Sequence, residues 1–156
     1  MLQQINLSYD AEQDRLLLRA REDDNTEYRI WLTRRFTALL LDVLRQRMSA
    51  LGGQNQLASN PKTVEQLKGG AFHSAYQEEA PSVLPLGEEG ILAYRLNYSF
   101  PSGDLSKLQL LPKQGEGLNF SLGKHMLYLL FNLLEQNLPQ TGWNLGEVPV
   151  PTSLLH

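Results

Sequence analysis

The hydrophobic period changes within one stretch of the chain, Tyr28–Met48. Tyr28, Ile30 and Leu32 lie two residues apart, the spacing of a β-strand with one buried face. After Thr33, a residue type that favours the N-cap of a helix, apolar residues recur at spacings of three and four, as on one helical face. They are Phe36, Leu39, Leu40, Val43, Leu44, Met48 and Leu51. The pattern predicts a strand that turns directly into an amphipathic helix.

Two further strands are predicted before this stretch, each with apolar residues at alternate positions. The first holds Ile5, Leu7 and Tyr9, and the second holds Leu16, Leu18 and Ala20. The polar segments at 10–13 and 22–26 are rich in turn-forming residues. Residues 1–53 are therefore predicted to form a βββα unit that ends at a pair of glycines.

The same pattern recurs ninety residues later, in Leu118–Leu138. The identical pairs are Leu32 with Leu122, Leu39 with Leu129, Leu40 with Leu130, Leu44 with Leu134 and Gln46 with Gln136. Residues 91–139 are predicted to form a second βββα unit, whose helix is expected to stop at Pro139. The fold predicted is α+β in a single domain, an internal duplication with antiparallel sheets packed against two helices in a pseudo-twofold arrangement.

Residues 54–90 form a long connector between the two units, punctuated by prolines and paired glycines. Val64 with Leu67, and Phe72 with Tyr76, have spacings that suit short helices. The connector is predicted to be partly helical, and docking of a partner is the alternative role. Residues 140–156 are predicted to form an extended tail anchored by Trp143.

The second predicted helix is apolar on almost every side, with a continuous run from Met126 to Phe131. Such a helix is covered on more than one face. Two interpretations remain open: a central core element between its own sheet and the first unit, or the interface of a homodimer.

Composition excludes several classes of function. The net charge of −3 gives no global basic field, and the absence of cysteine excludes thiol catalysis and cysteine-ligated metals. The N-terminal residues lack the pattern of a secretory signal, and the longest apolar run is far below the roughly 20 residues that span a bilayer. These features predict a cytoplasmic protein without a membrane partner.

Catalytic motifs are missing from the sequence. The three histidines, His73, His125 and His156, have no metal-ligand spacing around them, and there is no nucleophile elbow, P-loop or dinucleotide fingerprint. Acidic residues gather in predicted turns, without the spacing of a calcium loop. The sequence predicts a protein that is not an enzyme and has no cofactor or metal.

Strand alternation sends many basic side chains to the sheet faces opposite the helices. This candidate ligand face comprises Arg15, Arg19, Arg21, Arg29, Trp31, Arg95 and Lys107, which include six of the fourteen Lys and Arg residues. A basic sheet face with an aromatic ring is typical of single-stranded nucleic-acid binding. The alternative is a solvated face whose arginines pair with carboxylates such as Glu27, and whose tryptophan is covered by the connector or the tail.

Both predicted helices begin with positive charge, Arg34-Arg35 in the first and Lys124-His125 in the second. The helix dipole disfavours cations at this end by a few tenths of a kcal/mol up to about 1 kcal/mol. A bound anion would resolve the conflict, because free N–H groups there also attract phosphate or carboxylate. Exposure to screening solvent is the alternative.

The run I-N-L-S-Y-D…R-L-L-L-R…E-Y-R-I-W-L-T-R-R, within the first third of the chain, resembles the opening of a group of uncharacterised bacterial proteins. That resemblance implies a bacterial origin and no activity. The tandem sheet-plus-helix architecture is similar to the PUR-repeat and Whirly single-stranded nucleic-acid binders, which have four strands before each helix where three are predicted here. These observations favour a non-catalytic binding or adaptor protein with a protein partner or a second copy; nucleic-acid binding is the alternative.

Overall fold

The computed structural model describes residues 2–22, 24–53, 81 and 83–145. The elements are β1 (Leu2–Asp10), β2 (Arg15–Glu22), β3 (Glu27–Leu32), α1 (Arg34–Ala50), β4 (Ile91–Leu92), β5 (Arg95–Ser99), β6 (Ser106–Leu111), β7 (Leu118–Leu122) and α2 (Lys124–Thr141). The strands form a sheet of order β1-β2-β3-β4 and a sheet of order β5-β6-β7. The prediction of an α+β fold is confirmed: two helices accompany two mainly antiparallel sheets. The predicted connector helices lie outside the described residues, as do His73 and His156.

Alternation along the strands decides which side chains enter the core. Leu16 and Leu18 of β2 stand opposite Leu32 and Ile30 of β3, and all four are fully buried. The inner faces of the second sheet follow the same rule, with Leu108 opposite Phe120. Buried residues from both sheets and both helices form one continuous hydrophobic core.

One extended run, Ile91–Ser99, joins the two sheets. Its first part, β4, pairs in parallel with β3, and the N–H of Ala93 donates to the Trp31 carbonyl at 2.9 Å. The N–H of Tyr94 then donates to the Leu111 carbonyl of β6 at 2.7 Å. The run therefore leaves β3 and joins β6 at this point. A two-residue strand such as β4 is too short to produce a recognisable sequence pattern.

The helices pack crosswise on the strands. Helix α1 contacts β3 of its own unit and β5 of the second sheet, whereas α2 contacts β7 of its own unit, β1 of the first sheet and α1. Eight residues of α2 are buried: Leu127, Tyr128, Leu129, Leu130, Phe131, Leu133, Leu134 and Leu138. Its apolar run is thus explained by packing on several sides within one chain.

The second helix passes through Pro139, so the prediction that this residue stops it is wrong. The helix continues to Thr141 and ends at Gly142, which has a left-handed φ of 71°. Proline lacks a backbone N–H, so the carbonyl four residues earlier loses its helical donor, and the helix ends two residues later. Trp143 then anchors the start of the tail: its indole N–H donates to Asp14 at 3.0 Å, and its ring meets the Tyr9 ring edge-on.

Replacing Thr37 with valine is expected to raise the free energy of unfolding by about 1 kcal/mol. Thr37 is fully buried in α1, and its hydroxyl has no hydrogen-bond partner within the described residues. Valine keeps the shape and removes the unsatisfied group. Urea unfolding measures the change, and Thr141→Val is the matched control, because that hydroxyl donates to the Leu138 carbonyl. A loss of stability in Thr37→Val would show that its hydroxyl is satisfied.

Candidate functional site

Four of the residues predicted for the ligand face line one cavity on the first sheet. Arg15 and Arg19 of β2 and Arg29 and Trp31 of β3 point away from the helices, as alternation requires. The cavity has a volume of about 450 Å³. Its other lining residues are Ser8, Gln13, Leu17, Glu88 and Glu89. We call this surface the outer face.

The polar groups of the outer face are bound largely to the protein itself. The Arg15 guanidinium lies 4.1 Å above the centre of the Trp31 ring, and the indole N–H donates to the Glu89 carbonyl at 2.9 Å. Arg29 donates to the Glu27 carboxylate at 2.7 Å and to the Glu88 carbonyl at 2.6 Å. These contacts use one face of the ring and much of the hydrogen-bonding capacity of Arg29.

The turn before β4 reaches the outer face because of a glycine. Gly90 has a φ of +77°, which favours glycine, and a Cβ added there would lie 2.4 Å from the Arg29 carbonyl oxygen. This close approach brings the carbonyls of Glu88 and Glu89 within reach of Arg29 and Trp31.

Arg21 lies on the same side of the first sheet but is not available to a ligand. It is buried, with 3% exposure, and pairs at 3.1 Å with Glu27, whose exposure is 1%. Alternation predicted its face correctly, but it cannot predict which members of a face become covered. The expected pairing of arginines with Glu27 is present at Arg21 and at Arg29.

The turn that joins β2 to β3 supports this ion cluster. Asn25 adopts a φ of 65°, and its side chain accepts a hydrogen bond from Arg21 at 3.0 Å. Hydrogen bonds from Thr26 hold the pKa of the Asp24 carboxyl below its usual value of 3.8. A carboxyl group with a lowered pKa contributes to stability when the pH is above its ordinary pKa. This contribution is lost as the pH falls through the lowered pKa.

Arg95 and Lys107 lie on the second sheet, apart from the outer face. Lys107 lines a separate shallow cavity of about 460 Å³, together with polar residues of β5, β6 and β7. Arg95 is exposed at the start of β5. The basic residues predicted for one ligand face are therefore divided between two sheets.

The cations at the helix starts occupy different surroundings. Arg34 and Arg35 are exposed at the start of α1, where Arg35 donates to the Tyr94 carbonyl at 2.6 Å. Lys124 and His125 are half-buried at the start of α2, whose N-cap is Gly123 without a side-chain cap. Anion binding at either start stays a prediction.

A surface that the sequence did not indicate lies between α1 and β5. Three large apolar side chains are exposed there: Leu39 of α1 at 44%, Tyr98 of β5 at 51%, and Phe100, just after β5, at 39%. The rings of Tyr98 and Phe100 are in contact, with centroids 5.7 Å apart. We call this surface the seam. Because Tyr98 and Phe100 alternate with polar residues, the sequence pattern by itself predicts that both point toward the helix side of the second sheet.

Two arginines of α1 fix the ends of the seam. At one end, Arg35 lies 5.1 Å from the centre of the Tyr94 ring. At the other, Arg47 lies 4.4 Å from the centre of the Phe100 ring and donates to the Leu105 carbonyl. Leu39 lies one turn after Arg35 and two turns before Arg47, so its side chain lies between the two ends.

Comparison with protein-family models, with curated proteins and with solved structures finds no match to this chain. Neither described helix combines the length and apolar character needed to cross a membrane. Across the described ranges, no group of three or more histidine or acidic residues is arranged to hold a metal ion. The seam and the outer face are thus the surfaces from which a function is argued.

Proposed function

We propose that this protein is a non-catalytic cytoplasmic binding module that holds another polypeptide chain in the seam. The observation that carries the proposal is the exposure of Tyr98 and Phe100, whose rings are in contact, and of Leu39 on the helix that packs against their strand. Contiguous exposed apolar side chains, rimmed by polar residues, are typical of protein interaction sites. Aromatic residues are also enriched at the cores of such interfaces.

We also propose that the chain is an internal duplication of one βββα unit, which allows its two halves to be compared. In the first sheet Leu18 stands opposite Ile30, and in the second Leu108 stands opposite Phe120, with ninety residues between equivalent positions. The neighbouring pairs, Leu16 with Leu32 and Ser106 with Leu122, obey the same offset. Coincident registers are what two copies of one βββα unit would give.

Contacts between the two units support a pseudo-twofold arrangement. Arg45 of α1 lies 3.5 Å from Glu135 of α2, and these positions are also ninety residues apart. Equivalent residues meet each other near a twofold axis. The packing of α1 on β5 and of α2 on β1 is what the same symmetry would give.

The two halves differ at the seam. Leu129, the counterpart of Leu39, is completely buried in α2. Helix α2 packs against β1, where Ile5 and Leu7 are also buried. The leucine at this position of the helix is therefore covered in one half and exposed in the other. This difference supports a role for the seam in binding a partner.

Replacing Tyr98 or Leu39 with lysine is expected to weaken partner binding at least about tenfold, because a charge would be buried in an apolar contact. The probes are peptides selected from a displayed random library against the full-length chain, with affinities measured by fluorescence anisotropy. Ser49→Lys, exposed on the same helix, is the control. Sedimentation equilibrium follows self-association in the same variants.

Binders that tolerate both seam substitutions, with no change in self-association, would overturn this proposal. The thermal unfolding midpoints of the variants are expected to match that of the parent, since Leu39 and Tyr98 are exposed. This check separates loss of binding from loss of folding.

Binding of single-stranded nucleic acid on the outer face is the second candidate function. It is favoured by the convergence of Arg15, Arg19, Arg29 and Trp31 on one cavity. The internal contacts of Arg29 and Trp31 and the two glutamates at the rim oppose it. The outer face is therefore less suited to an anionic polymer than its arginine content suggests.

A titration of labelled oligonucleotide at two salt concentrations decides between the two functions. Because protein groups already engage Arg29 and Trp31, we expect no binding in the micromolar range, even at low salt. Micromolar binding that weakens steeply with salt, and that is lost in Arg19→Ala and Trp31→Ala, would establish the second function. Lys113→Ala, in the exposed β6–β7 turn, is the control.

A further inference from the structure

We propose that the partner enters the seam as an extended peptide, adds to β5 as a further strand, and carries a carboxylate toward the start of α1. This inference rests on the proposed function and specifies the kind of partner. The three observations behind it are an open strand edge, a row of exposed apolar side chains along that edge, and a group of exposed cations at one end.

The open edge results from the way in which the chain leaves the first sheet. β3 ends at Leu32, and the chain turns into α1 at Arg34. The run that contains β5 therefore loses its neighbour after Ala93, whose N–H makes the last bond to β3. Among the described strands, β5 pairs only with β6. An unpaired strand edge presents N–H and C=O groups to which another strand can bond.

The side chains beside this edge suit an extended ligand. Tyr98 and Phe100 are two residues apart, so both project from the same side of the strand. Leu39 is exposed on α1, the helix that contacts β5. A peptide strand laid along β5 would direct every second side chain toward the side of the sheet on which Tyr98 and Phe100 lie. The partner is thus expected to have apolar residues at alternate positions.

The cations lie at the end of the seam where α1 and β5 begin. Arg35 donates to the Tyr94 carbonyl, which brings these two starts together. Arg34 precedes Arg35 in the helix, and both arginines are exposed. No carboxylate of the described residues pairs with either of them. A carboxylate of the peptide, from an acidic side chain or from its C-terminus, would complement this charge.

A scan of backbone N-methylation along one selected peptide tests the strand addition. Strand pairing uses the N–H of every second peptide residue, so methylation is expected to weaken binding about tenfold at alternate positions and little between them. The probe is a synthetic peptide whose binding to the full-length protein is lost in Tyr98→Lys. A peptide bound as a helix, or through side chains alone, would show no period of two and would overturn the inference.

A second set of measurements tests the carboxylate. The Arg34→Gln/Arg35→Gln variant is expected to bind the same peptide about threefold to tenfold more weakly, and the difference is expected to vanish at about 1 M salt. Lys113→Gln is the control for a lost exposed cation. Amidation of the peptide C-terminus and replacement of its acidic residues by amides show separately which carboxylate is used. An unchanged affinity in the arginine variant would refute this part.

These outcomes separate the inference from the proposed function. If binding depends on Tyr98 but shows no alternating effect, the seam is a binding site and strand addition is wrong. If seam substitutions change only self-association, the occupant is a second copy of the chain and the extended-peptide inference is wrong. If no binding responds to the seam at all, both proposals fall.

Discussion

Replacing Glu27 with glutamine is expected to lower the free energy of unfolding by about 3–5 kcal/mol. The Glu27 carboxylate is buried between two arginines, with Arg21 at 3.1 Å and Arg29 at 2.7 Å. Glutamine fits the same space but removes the negative charge that lies against the buried Arg21 guanidinium. The loss is a large fraction of the roughly 5–15 kcal/mol that stabilises a typical domain.

Chemical denaturation followed by circular dichroism measures this effect. Glu12→Gln is the matched control, because Glu12 is exposed in the β1–β2 turn and its loss is expected to change stability by less than about 0.5 kcal/mol. Arg29→Gln should cost less than Glu27→Gln, since Arg29 is partly exposed and Arg21 would keep its carboxylate. Equal stability of Glu27→Gln and the parent protein would mean that the buried charge is balanced in another way.

Replacing Leu129 with alanine is expected to cost about 2–5 kcal/mol, whereas Leu39→Ala is expected to cost less than about 0.5 kcal/mol. The two leucines occupy the same position of the repeated sequence pattern, ninety residues apart. Leu129 is completely buried and its removal leaves a cavity, but Leu39 is 44% exposed and its removal leaves solvent. The same side-chain atoms are removed in both variants, so the difference between the two stability losses comes from the surroundings of each leucine.

Urea unfolding of the two variants, with the parent chain beside them, measures both values. Both variants replace a leucine with an alanine within a helix, so the change in helix propensity is similar and contributes little to the difference between their stabilities. Similar large losses in the two variants would show that Leu39 is covered in solution, which would remove the main support for the seam as an open binding site.

The candidate sites were predicted only in part. Alternation placed Arg15, Arg19, Arg29 and Trp31 on one face correctly, since strand side chains must point to opposite sides in turn. It did not show that Arg21 is buried against Glu27, because burial depends on what covers the sheet. The turn that brings Glu88 and Glu89 to the same face also comes from distant sequence, and no local pattern indicates such contacts.

The seam was missed for a related reason. Tyr98 and Phe100 alternate with polar residues as core residues do, and Leu39 matches a buried leucine in the other half. A weak signal existed in the aromatic pair near the end of β5, because the hydroxyl group of tyrosine is often exposed to water. Exposure itself depends on how closely a helix approaches a strand that is distant in sequence.

The sequence by itself determined the local elements and the fold class. Hydrophobic periods of two and of about 3.6 predicted six of the seven described strands and both described helices, because each period matches one backbone geometry. Only the tertiary structure decided which faces stay open. The crosswise packing of α1 on β5 and α2 on β1, and the change of β-partner after Ala93, arise from contacts between distant segments. Those contacts bury Leu129 and leave Leu39 exposed, although the surrounding sequence patterns are alike.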